Sequence, residues 1–240
     1  MWFVQFTLGY LIVLQYCDGE RFTFCKSNNK DFDNCLKRSM QEAIKLLKDD
    51  IPEYNLTNLK VVRPSKVTIQ AGVGAVQLIQ NYKNVEITGY LDAVVKEAHF
   101  DTNQEIFNFT VTIPQYIQKA DYWLDGNVLA MPVVGSGPSV LQLDNLEMKH
   151  ILQLEKYTKS DKTYYKIKSY DLHMSITKAH LRFDNMFGNK MLSDNLNTVL
   201  NENWETLFND TKSSIEEAVI AVLKPYIQTF FNEVPTEELF

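Results

Sequence analysis

The sequence is short of the positive charge that nucleic-acid binding requires. It holds 24 Lys and Arg against 30 Asp and Glu in 240 residues, a formal charge of −6, whereas a nucleic-acid partner needs a concentrated basic surface. The same balance argues against electrostatic attachment to anionic lipid head groups. There are three cysteines and no C-x-x-C, so neither a redox motif nor a zinc knuckle is available. The four histidines, His99, His150, His173 and His180, show neither H-x-x-x-H nor H-x-H spacing. By strand parity His173 and His180 fall on opposite faces. Gly135-Ser136-Gly137 is not a nucleophile elbow, because Val134 and Pro138 break G-x-S-x-G in both frames; it reads as a loop. Gly72-Val73-Gly74 lacks the third glycine of a dinucleotide fingerprint, Gln77 standing in its place. No catalytic residue, metal site or cofactor is therefore expected. Pro/Gly/Ser linkers, low-complexity tracts and repeats are also missing, so residues 20–240 read as a single domain.

One apolar run stands out, and it lies at the start. Residues 2–16 are apolar over about the length of a signal h-region and are too short to span a bilayer comfortably. Cys17 and Gly19 have the −3 and −1 spacing that a signal peptidase accepts, which places cleavage after Gly19. The segment carries no Lys or Arg, and an uncleaved anchor or a buried strand are the competing readings. No other run approaches transmembrane length, so stable membrane insertion is not expected and an exported protein is. Removal of Cys17 leaves Cys25 and Cys35, which an oxidising compartment would pair. Three N-x-S/T sequons, at Asn55, Asn108 and Asn209, agree with export.

With 45% apolar residues the chain can bury a substantial core. From Asp31 to Leu47, Phe32, Cys35, Leu36, Met40, Ala43, Ile44 and Leu47 recur at three and four, the stripe of an amphipathic helix ended by Pro52. From Val61 to Phe183 the period becomes two. Phe107, Phe109, Val111 and Ile113 face one way, and Asn108, Thr110 and Thr112 the other, which puts Asn108 where a glycan could sit. Val85, Ile87, Gly89 and Leu91 alternate with Glu86, Thr88, Tyr90 and Asp92. Leu146, Met148, His150, Leu152 and Leu154 share a face. A parity slip near Lys178 suggests a β-bulge. From about Asp194 to Phe231 one helical stripe returns, nearly 60 Å long if it is a single helix at 1.5 Å per residue, with a kink expected at Pro225. The fold class is α+β: a short N-terminal helix, then a highly curved antiparallel sheet wrapped round a long C-terminal helix.

So long a stripe under a curved sheet is hard to fill without a void. The expected cavity residues are Trp204, Phe208, Ile215, Val219 and Leu223 on the helix, with Phe107, Phe109, Met148, His150 and Leu152 on strands. His150, between Met148 and Leu152, is either a core histidine bonded to backbone or the polar anchor for a lipid-like head.

In order along the chain, several segments resemble one family. They are Cys25…Cys35 with Phe32-Asp33-Asn34-Cys35-Leu36; Asn84-Val85-Glu86-Ile87-Thr88-Gly89; Ala120-Asp121-Tyr122-Trp123-Leu124-Asp125-Gly126 leading to Met131-Pro132-Val133-Val134-Gly135-Ser136-Gly137; Asn185-Met186-Phe187-Gly188-Asn189; Val199-Leu200-Asn201-Glu202-Asn203-Trp204; and Val234 to Phe240. The chain resembles the insect takeout/juvenile-hormone-binding family. The resemblance implies a tubular lipid-binding fold. It also implies a secreted, non-enzymatic haemolymph carrier of juvenile-hormone-like terpenoids or fatty-acid-like lipids, with ties to circadian and feeding physiology. High-affinity hormone carriers of that family usually have a second disulfide, and no cysteines are left for one here, which points to the takeout-like branch. The alternatives are a membrane-docking lipid-transfer protein and an extracellular signalling partner that needs no ligand, its receptor unknown.

Overall fold

A computed structural model describes residues 22–71 and 76–239. The expected signal segment 1–19, Cys17 and Gly19 within it, Gly72-Val73-Gly74 and Phe240 lie outside the described residues. Helix α1 (Phe32–Leu46) is followed by strands β1 (Val67–Ala71), β2 (Val76–Thr88), β3 (Val94–Asp101), β4 (Ile106–Val128), β5 (Met131–Lys159), β6 (Lys162–Ser175) and β7 (Lys178–Phe183). Helices α2 (Lys190–Glu202), α3 (Trp204–Glu233) and α4 (Thr236–Leu239) complete the chain. The strands form one antiparallel sheet in the order β1-β2-β4-β5-β6, with β3 also on β4 and β7 also on β5.

β4 has 23 residues and β5 has 29, against a usual strand of about 5–6. Strands this long must bend, and the bend falls on one line across the sheet. Pairing of β4 with β5 passes from Ile113↔Leu146 to Gln115↔Asp144, skipping Pro114 and Asn145. Pro114 has no N–H to give a ladder, and Asn145 adopts φ 49°. On the far side of β5, β6 stops at Ser175 and β7 begins at Lys178. Thr177 closes the gap, its N–H donating to the Asp144 carbonyl at 3.0 Å and its hydroxyl accepting from Asn145 Nδ2 at 3.0 Å. The parity slip near Lys178 is thus a break between two strands rather than a bulge in one. Because of that break His173 and His180 are both exposed rather than on opposite faces.

Gly89 continues the same line. The alternation from Val85 to Leu91 ends early: β2 stops at Thr88, Gly89 takes φ 110°, and Tyr90–Asp92 form a 3-10 turn. Tyr90, expected on the wet face, is buried instead. A Cβ on Gly89 would lie 2.3 Å from the Gln115 carbonyl oxygen, so both the conformation and the space require glycine. Gly89→Ala should cost about 2 kcal/mol of stability, measured by urea unfolding; an unchanged midpoint would refute this reading. Gly135-Ser136-Gly137 lies inside β5 rather than in a loop. At Gly137 the Asp184 carbonyl passes 2.6 Å from where a Cβ would stand, which is why a turn-like composition occurs in a strand there.

The long C-terminal stripe is two helices, not one. α2 ends at Glu202 and α3 starts at Trp204; between them the Asn203 side chain donates to the Val199 carbonyl at 2.8 Å. α3 alone is about 45 Å long at 1.5 Å per residue. It runs through Pro225, which lies on its exposed stripe with Glu205, Asn209, Ser213, Glu217 and Ala221. There water can satisfy the Ala221 carbonyl that Pro225 leaves without a donor.

Polar side chains of the helices close the sheet into a tube. Asn197 accepts from the Phe183 N–H (2.9 Å) and donates to its carbonyl (2.9 Å). Asn201 does the same for Leu181, at 2.9 and 2.7 Å. Glu216 accepts from the Met174 N–H and Gln228 from the Ile167 N–H, each at 2.8 Å. Across the tube, Ser214 donates to the Gln70 carbonyl of β1 at 2.8 Å. Backbone groups on both open edges therefore find partners on the helices, which blunts the edges against pairing with another chain. α1 covers the β3 side: Gln41 accepts from the Val95 N–H (2.9 Å) and donates to the Ala93 carbonyl (3.0 Å). Cys25 and Cys35 are disulfide-bonded, which ties the N-terminal segment to α1.

Candidate functional site

The crease divides the interior into two spaces set end to end along α3. The first, about 1350 Å³ counting its open mouth, lies under β1, β2, β7 and the adjoining halves of β4 and β5, with α2 and the N-terminal half of α3 as the rest of its wall. The second, about 1540 Å³ on the same basis, lies between α1, the first half of β4, the Met148–His150 stretch of β5 and the C-terminal part of α3. Tyr90 and Met148 line both. Tyr90 therefore stands where the spaces meet, held there by the Gly89 turn and edge-to-face against Tyr116 at 5.9 Å.

Trp204, Phe208, Ile215 and Val219 line the first space, and Phe107, Phe109, His150 and Leu223 line the second. Leu152 is wholly buried and lines neither. Its neighbours close over it, whereas those of Met148 four residues earlier do not. Sequence reasoning did not pick out the tyrosines Tyr82, Tyr90, Tyr116 and Tyr226, nor Gln80 and Gln118, which put polar atoms on the walls. A tyrosine at an inward strand position carries the same periodic signal as a phenylalanine. The α1 residues Leu36, Met40 and Ile44, on the apolar face expected of that helix, wall the second space.

Among the described residues no Lys, Arg, Asp or Glu lines either space. Polar groups are neutral and mostly satisfied locally: Tyr82 donates to Gln80 at 2.7 Å and Ser139 to the Ala120 carbonyl at 3.0 Å. Burial pushes the Tyr82, Tyr90, Tyr116 and Tyr170 hydroxyls well above their ordinary range, so all stay protonated. His150 is 3% exposed. Its ring stacks on Phe109 with centroids 4.3 Å apart, and Nδ1 lies 2.6 Å from the Tyr170 hydroxyl. Burial lowers its pKa to about 3, so it is neutral. His150 is thus bonded to a tyrosine rather than to backbone.

Among the described residues no cluster of three His, Cys, Asp or Glu could hold a metal ion, and no helix is long and apolar enough to cross a membrane. Of the sequons, Asn55 and Asn209 are exposed, while Asn108 is half-buried with its Oδ1 lacking a partner.

The fold has a solved counterpart. Takeout 1 of Epiphyas postvittana superposes with a TM-score of 0.77 over 88% of this chain and 97% of that one, at 21% identity. In sequence, the circadian clock-controlled protein daywake of Drosophila melanogaster is 25% identical over 220 residues, 87% of this chain and 84% of its own. The Drosophila yakuba protein of the same name is 24% identical over the same extent. The model of the haemolymph juvenile hormone binding protein family matches residues 8–240, and the chain belongs to that family.

Proposed function

We propose that this protein is a secreted carrier of a small hydrophobic ligand, terpenoid or lipid in character, held inside the tube and not transformed there. The observation that carries this reading is the pair of apolar spaces along α3, whose walls present no ionised side chain among the described residues. Spaces of this character match ligand pockets, in which mostly apolar walls bury the greater part of a small molecule. Burial contributes about 25 cal/mol per Å² of apolar surface, so affinity should depend weakly on salt. The family name points the same way. Export is supported by the apolar N-terminal run, the Cys25–Cys35 disulfide and the exposed sequons at Asn55 and Asn209.

Mass spectrometry of protein purified from its source tests both halves. Native ionisation should carry an additional apolar mass that organic solvent removes, and unreduced peptide mapping should find an N-terminus near Glu20. A protein that is empty as isolated and also fails to bind any apolar fluorescent probe is not a carrier. One that begins at Met1 with free thiols is not exported as proposed.

A further inference from the structure

Among the described residues that line the second space, one polar group has a fixed direction. Thr23 and Ser39 already donate hydrogen bonds, to Glu42 and to the Thr23 carbonyl respectively, and the Thr57, Tyr90 and Tyr226 hydroxyls can rotate about their C–O bonds. His150 cannot turn, being stacked on Phe109 and bonded through Nδ1 to Tyr170. Its other nitrogen, Nε2, has no protein partner and belongs to a side chain that lines the space.

The tautomer follows from Tyr170. That residue is buried and lines neither space, and its hydroxyl is within hydrogen-bond distance of His150 Nδ1 alone. A buried phenolic O–H needs an acceptor, so it donates to Nδ1. A neutral imidazole accepting at Nδ1 carries its proton on Nε2. The second space therefore presents a fixed N–H donor in an apolar wall and, among the described residues, no cation to neutralise an acid.

We propose that this space selects neutral ligands bearing a hydrogen-bond-accepting oxygen, such as an ester, ketone or ether, and seats that oxygen on His150 Nε2–H, with Tyr170 as the positioning residue that sets the tautomer. The proposal rests on the carrier reading and narrows it. A terpenoid ester or a neutral lipid fits, and an ionised fatty acid does not, because its carboxylate would be desolvated without a counter-charge.

Three probes of similar chain length test it: methyl decanoate, undecane supplied through the vapour at matched activity, and decyl sulfate. Each is read by displacement of a bound apolar fluorophore. His150→Leu should weaken methyl decanoate about tenfold and undecane less than twofold, as expected for loss of a single hydrogen bond. Tyr170→Phe should act in the same direction, about threefold. Decyl sulfate should bind the wild type at least a hundredfold more weakly than the ester. In wild-type protein, ¹⁵N resonances of the histidines should show His150 protonated at Nε2 and not at Nδ1, a reading that needs no variant to fold. In Tyr170→Phe the two tautomers should mix, which a purely structural role for Tyr170 would not produce. Equal losses for ester and alkane, tight binding of decyl sulfate, or the opposite tautomer would overturn the proposal while leaving the carrier intact. Failure of methyl decanoate to displace the bound fluorophore would also overturn the proposal, and failure of the protein to bind the fluorophore at all would instead overturn the carrier reading.

Discussion

Val219→Phe should leave the melting temperature within a few degrees of wild type and weaken a ligand seated in the first space by tenfold or more. Val219 is half-buried and lines that space, so the added ring enters a void instead of displacing packed neighbours. Ile215→Trp should behave alike. Leu223→Trp should do the same for the second space. Leu152→Phe is the contrast. Leu152 is fully buried and lines neither space, and enlarging such a residue forces strain of about 1–3 kcal/mol. It should lower the melting temperature and leave affinity per folded molecule unchanged. The pattern also locates the ligand. A short molecule should respond to one set of variants, and one long enough to pass Tyr90 should respond to both. If Val219→Phe and Ile215→Trp unfold the protein as Leu152→Phe does, with binding per folded molecule intact, the first space is packed core.

That contrast marks the limit of what periodicity can reveal. Met148, His150 and Leu152 occupy equivalent inward positions on one strand, and alternation places all three correctly inside. Whether an inward side chain meets a neighbour or a void depends on the distance between β5 and α3, which no local pattern encodes. The helix–sheet–helix order and the inward faces of β4 and β5 were legible because burial on one side enforces period two or period 3.6 over many residues. The crease was visible only as a parity slip at Lys178. Its other members, Gly89, Pro114 and Asn145, share no pattern in the sequence and line up only through the register. The stripe from Asp194 to Phe231 read as one helix because Asn203 interrupts the backbone without interrupting the apolar pattern. Asn197, Asn201, Glu216 and Gln228 fall outside the apolar stripe, although each bonds a strand edge. Polar residues that satisfy distant backbone are indistinguishable, in one sequence, from polar residues that face water.

Acid should destabilise the protein through His150 before its own protonation in the folded state begins. The folded-state pKa is lowered to about 3 by burial, while an unfolded histidine titrates near 6.5. Tyr170, which is bonded to it, stays protonated because burial raises its hydroxyl. Between those two values the unfolded chain binds a proton that the native one refuses. The contribution is therefore fully present above about pH 6.5 and is lost as pH falls toward 3, by about 1.4 kcal/mol per pH unit. From pH 7 to pH 4.5 the loss from this one group is about 2–3 kcal/mol, a substantial share of the stability of an ordinary domain. Urea unfolding of wild type and His150→Leu at both pH values isolates it, since the carboxylates titrate alike in the two proteins. The wild type should lose about 2–3 kcal/mol more than the variant across that interval. Equal losses would mean that His150 is hydrated in the folded protein, and with it the wall on which a ligand oxygen is proposed to rest. A dry, uncharged donor and an acid-labile fold are thus two consequences of the same burial.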